Sequence, residues 1–152
     1  MKTVPVDVDD STTFAKTVTE ADVILFAGLS GDFAPHHVNE EFMRGTMFGT
    51  RIAHGALSLG FMSAVSAKLM AAIPVSKSHD VLIPLSLGYD RLRFLKPVFF
   101  GDTLTSTYRV LEVDLDRKNP RTLASVEIHN QRGELTASAI HINAWVPATS
   151  QG

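Results

Sequence analysis

Asp32 and His37 stand five positions apart in the run Ser30-Gly31-Asp32-Phe33-Ala34-Pro35-His36-His37. A second segment, Arg51-Ile52-Ala53-His54-Gly55, adds another imidazole. Gly31 and Pro35 are expected to keep the first run out of regular helix, and the residue before a proline is pushed towards extended backbone. The reading is a rigid loop that displays Asp32 and His37 rather than stacking them on a helix face. A carboxylate and an imidazole so placed can hold one water between them, which is the minimum equipment for acid/base chemistry near neutral pH.

The composition narrows the classes of function. The chain has 152 residues, 45% hydrophobic and 20% charged, with a formal net charge of −2. One domain of ordinary globular balance is expected, spanning 1–152 with its core at about 12–147, and no basic run points to nucleic acid. The absence of cysteine removes disulfides, thiolate catalysis and cysteine metal sites, and fits a reducing, cytoplasmic setting. The start, Met1-Lys2-Thr3-Val4-Pro5, lacks the apolar core of a signal peptide. His36, His37, His54 and His79 match no common metal spacing, and His-Glu-x-x-His is absent, so no metal is expected. Dinucleotide and phosphate loops are absent too, so no cofactor is expected.

The elements that must position Asp32 and His37 follow from periodicity. Residues 1–11 read as polar and partly loose, and Thr12 to Val18 as a first strand. Thr19 with Glu20 and Asp22 is a capping signal for a short helix that ends near Gly28 to Gly31. Asn39 is expected to cap another short helix through Met43. Gly55 to Ile73 is the one long helix, about 28 Å at 1.5 Å per residue. It is apolar nearly all round, so other structure is expected to wrap it, with Pro74 as its stop. Ser58, Ser63, Ser66 and Lys68 favour a buried helix over a membrane span. A loop from Val75 to Pro84 precedes strands at Leu85–Leu95, Thr103–Val113, Arg121–Asn130 and Leu135–Val146. The sum is an α+β chain, an antiparallel sheet of about five strands curled around one helix. Its open edges suggest a homodimer.

Three blocks in order, Ser30 to His37, Arg51 to Gly55, and Phe94-Leu95-Lys96-Pro97-Val98-Phe99-Phe100-Gly101-Asp102, resemble the MaoC-like (R)-specific enoyl-CoA hydratases of the hot-dog fold. The resemblance runs from about Thr12 to Pro147. It implies that Asp32 and His37 are the catalytic acid/base pair, that Ser63 supports the aspartate, and that the Gly55 amide binds the thioester. Two positions depart from the family motif: Ala34 replaces an asparagine and His36 an aliphatic residue, and both change the pocket lining. The implied activity is reversible hydration of a trans-2-enoyl-CoA to an (R)-3-hydroxyacyl-CoA. An acyl-CoA thioesterase of the same fold and a non-catalytic acyl-thioester binding module are the rival readings.

That chemistry suits those residues. Hydroxyl must reach C3 and a proton C2 while negative charge builds on the thioester oxygen. The amide at Gly55, at a helix start, is unpaired and partially positive, and no Cβ blocks the thioester there. Ser63 follows about two turns later, where it can donate to Asp32. His54 is expected to pack or cap beside Gly55 and is grouped with Gly55 and Ser63 as a substrate contact. Arg91, Arg93 and Lys96 suit either CoA phosphates or a solvated strand edge.

Overall fold

The alternation in the second half of the chain becomes a sheet. The computed structural model describes residues 4–73 and 82–148. Its elements run β1 (Ser11–Thr17), α1 (Glu20–Ser30), α2 (Pro35–Val38), α3 (Glu40–Arg44), α4 (Leu57–Ala71), β2 (Leu82–Phe94), β3 (Thr103–Asp114), β4 (Arg121–His129) and β5 (Leu135–Pro147). The strands form one antiparallel sheet of five in the order β1-β3-β4-β5-β2. In β4 the even positions Thr122, Ala124, Val126 and Ile128 are buried, the period-two pattern of a sheet with one covered face.

Helix α4 supplies the cover, packing on β1, β3 and β4. Phe61, Met62, Val65 and Leu69 on its inner side meet Leu104, Tyr108 and Val110 of β3, Val126 and Ile128 of β4, and Trp145 of β5. Each large side chain so buried is worth roughly 1.5–3 kcal/mol relative to exposure. The sheet does not wrap the helix all round, however. Ala56, Gly60, Ser63 and Ala67 are exposed, because such small side chains carry little apolar surface to cover. The helix also begins at Leu57 rather than Gly55, so its fifteen residues span about 22 Å.

Other expectations shift for local reasons. Val6 is buried at 3% exposure, and the Asp9 amide donates to the Val110 carbonyl at 2.9 Å, so the described part of the N-terminal stretch is tied down. Strand β2 starts at Leu82 and includes Pro84, which an edge strand accommodates. The stop at Pro74 and the loop from Val75 to Val81, with His79, lie outside the described residues.

Beneath the sheet's covered face sits a polar island that sequence reasoning missed. His141 Nε2 meets Ser86 Oγ at 2.8 Å and its Nδ1 faces the Tyr108 hydroxyl at 3.3 Å, while Asn143 Nδ2 donates to that hydroxyl at 3.1 Å. The Tyr89 ring stacks on His141 with centroids 4.4 Å apart. Burial pushes the His141 imidazole down to about 4.

Candidate active site

Asp32 is delivered by the end of α1. Thr19 caps the start of that helix in a reciprocal pair with Asp22, and Gly31 ends it in the left-handed region at φ 81°, its amide donating to the Ala27 carbonyl at 2.8 Å. The chain then turns outward. Asp32 Oδ1 accepts from the Ala34 amide at 3.2 Å, an Asx turn that fixes the carboxylate. The other oxygen, Oδ2, is left for outside partners, and the side chain is half exposed.

His37 follows on α2. This is a correction to the loop expectation: Pro35 opens a single helical turn, and His37 is its third residue. Proline suits a first helical position, where no amide donor is required. The turn buries the imidazole. Its Nδ1–H donates to the Ile52 carbonyl at 2.8 Å. That bond sets the tautomer, so in the neutral ring the Nε2 lone pair points away from Ile52. Nε2 lies 3.9 Å from Asp32 Oδ2. Burial lowers the His37 pKa against the Ile52 bond, and the neighbouring His54 and His36 lower it further, while the Asp32 charge raises it. The net direction is downward, which favours the neutral ring.

The segment that receives His37 also holds Asp32. His54 Nε2–H donates to the Asp32 backbone carbonyl at 2.9 Å, and its ring stacks on His37 with centroids 3.7 Å apart and planes 27° from parallel. Ile52 N donates to the His36 carbonyl at 3.1 Å and Ala53 N to the Val98 carbonyl at 2.8 Å. His54 is 3% exposed, enclosed between the His37 ring and the Asp32 backbone.

A cavity of about 360 Å³ opens beside His37, with His36, Gly55, Ser58, Phe94 and Thr136 in its wall. Asp32, His54 and Ser63 are not part of that wall. The Gly55 amide donates to no acceptor among the described residues. Glycine at 55 also has a packing reason the sequence did not show: a Cβ there would lie 2.8 Å from Cδ2 of the Phe94 ring, which would have to shift. Ser63, expected to support Asp32, lies on the exposed face of α4 and makes no hydrogen bond to it among the described residues. Ser58, more than one turn earlier, is buried and faces the cavity. Of the three cations considered for phosphates, Lys96 is paired with Glu134 at 2.6 Å, while Arg91 and Arg93 are exposed on β2. Arg91 takes the left-handed region at φ 52°, at a bulge in the β2–β5 pairing.

Asp32, His37 and His54 present potential ligand atoms within 4.8 Å of one another. Histidines that hold a metal are themselves held through the other ring nitrogen. His37 has such a partner in Ile52. In His54 the Nε2 is committed to the Asp32 carbonyl, and the Nδ1 is buried without a partner among the described residues.

A sheet of this order folded against one long helix is the hot-dog arrangement. The chain belongs to the MaoC like domain family, which it matches over residues 5–131. It is 43% identical over 111 residues to the (R)-specific enoyl-CoA hydratase of Rhodospirillum rubrum, covering 71% of this chain and 68% of that protein. It is 30% identical over 119 residues to the 3-hydroxybutyryl-CoA dehydratase of Methylorubrum extorquens, covering 76% and 68%. The crystallised (R)-hydratase from A. caviae superposes with a TM-score of 0.77 at 27% identity, over 91% of this chain and 96% of that one. The chain is accordingly a lyase. No helix among the described residues is long and apolar enough to cross a membrane.

Proposed function

We propose that the protein hydrates a trans-2-enoyl-CoA to an (R)-3-hydroxyacyl-CoA, reversibly, with Asp32 and His37 sharing one water. The supporting observation is the 3.9 Å between Asp32 Oδ2 and His37 Nε2, with His37 Nδ1–H committed to Ile52. Two hydrogen bonds of about 2.8 Å to one oxygen span that separation. Both atoms are acceptors when the ring is neutral. A water that donates one hydrogen to each keeps an oxygen lone pair for C3.

As the C3–O bond forms, the π electrons move towards C2 and the thioester oxygen, where the Gly55 N–H accepts the charge as a hydrogen-bond donor. Losing a donor of this kind costs roughly 3 kcal/mol in other enzymes. The proton released by the water passes to the pair and returns to C2, so water adds across C2=C3 with no net proton change. Asp32 is the main base, and His37 orients the water and shares the proton. Dehydration is the same path reversed.

Crotonyl-CoA tests this reading. Loss of enoyl absorbance with formation of (R)-3-hydroxybutyryl-CoA is expected. Thiol release from a saturated acyl-CoA without hydration would instead make the protein a thioesterase. We further propose a homodimer, because the outer edge of β2 pairs with no strand among the described residues, and Ile83, Leu85 and Leu87 on this strand are between 42% and 52% exposed. Sedimentation at twice the chain mass is the corresponding result.

A further inference from the structure

We propose that Arg51 and Glu40 are positioning residues that hold the 50–54 segment in register with both members of the acid/base pair. The inference rests on the hydratase reading for its kinetic consequence, but its structural consequence can be measured separately.

The segment does two jobs at once. Its Ile52 carbonyl takes the His37 Nδ1–H, and its His54 ring holds the Asp32 carbonyl. A slip along this segment would therefore release the base and the acid together. The anchor lies just upstream. The Glu40 carboxylate accepts from Thr50 Oγ1 at 2.8 Å, from the Arg51 amide at 3.2 Å and from Arg51 Nε at 3.2 Å. Glu40 opens α3 three residues after His37. The helical turn carrying the imidazole and the segment carrying its acceptor are thus tied at both ends, by Glu40 on one side and by the Ile52 N–H to His36 carbonyl bond on the other.

Arg51 extends the tie to the acid. Its Nη2 donates to Glu20 Oε1 at 2.7 Å, and its guanidinium lies 4.8 Å over the Phe100 ring. Glu20 is the first residue of α1, whose far end delivers Gly31 and Asp32. One guanidinium therefore joins the helix before the acid, the helix after the base and the segment that orients both. The side chain is only 15% exposed. A planar fork is needed to reach two carboxylates while stacked on a ring, and a lysine ammonium cannot reproduce it.

The test uses Arg51→Lys and Glu40→Gln. The second keeps size and an acceptor oxygen, so the fold survives even where the arginine variant is weakened. Long-range ¹H–¹⁵N spectra of the imidazoles are expected to show His37 as the single Nδ1–H tautomer in the wild type and as a tautomer mixture in both variants. On crotonyl-CoA, kcat is expected to fall about 10–100-fold, the penalty of a displaced catalytic group, with KM changed less than about 3-fold. Folded variants that keep the wild-type tautomer and kcat while losing only thermal stability would reduce the cluster to a structural brace. A wild type that hydrates no enoyl-CoA would end the hydratase reading, and the tautomer comparison would still decide the positioning role.

Discussion

The Nδ1–H of His37 donates to the carbonyl of Ile52 at 2.8 Å, across fifteen residues of chain. This contact decides which nitrogen faces Asp32 and what that nitrogen can do. With Nδ1 carrying the proton, a neutral His37 meets water as an acceptor, and it becomes a donor only after taking a proton. Because burial is the largest influence on the ring and works against charging it, the resting state is the acceptor.

A consequence appears in the pH dependence of activity. An imidazole whose pKa lies below its usual value of about 6.5 is mostly neutral at that pH. The midpoint of the acid limb of kcat/KM for crotonyl-CoA is therefore expected below pH 6.5. An acid limb centred above 6.5 would mean that the ring is stabilised as imidazolium, contrary to this site.

Stability should respond to pH through a different histidine. The folded-state pKa of His141 is about 4, below the unfolded value, so the unfolded chain takes up the proton first as pH falls. The stabilisation is complete above about 6.5 and is lost progressively as pH drops through the window down to 4. Its ceiling is roughly 3 kcal/mol, from 1.36 kcal/mol per unit. Urea unfolding at pH 7.5 and pH 5.5 checks this. The wild type should lose stability between the two, and His141→Gln should lose less. His37 is depressed too and contributes in the same direction, so the variant is not expected to be flat.

Gly55 and Phe94 should behave as a pair. The Cβ of Gly55→Ala would stand 2.8 Å from the Phe94 ring, which is 49% exposed and can swing aside at modest cost. Destabilisation near the low end of the roughly 1–3 kcal/mol seen for overpacking is expected. Combining it with Phe94→Ala should recover part of that loss. Additive losses in thermal unfolding would show that the two side chains do not share this contact.

Much of the fold was legible because strands report themselves locally. Residues 103–110 of β3 and Arg121–His129 alternate in sequence and are buried in the same alternation. The Asp32 and His37 spacing was legible because a turn brings both to one place. The connections that orient them were not, since Ile52 acts through a backbone carbonyl, which any residue possesses. Arg51 was visible in its motif, but its partners Glu20 and Glu40 lie 31 and 11 positions away, and nothing local joins them. Ser63 illustrates the opposite error. Helical spacing put it on a plausible face, but which face the sheet covers is decided by Phe61, Met62 and Val65, whose large apolar surfaces claim the interior.

The direct measure of the central claim is the rate of crotonyl-CoA hydration by the wild type, Asp32→Asn, His37→Gln and the double variant. Shared custody of one water calls for each single variant to lose about 10²–10⁴-fold, the range for general acid/base catalysis, and for the double variant to lose little more than the worse single. Circular dichroism should show all four folded. An Asp32→Asn enzyme that hydrates crotonyl-CoA at the wild-type rate would contradict the account.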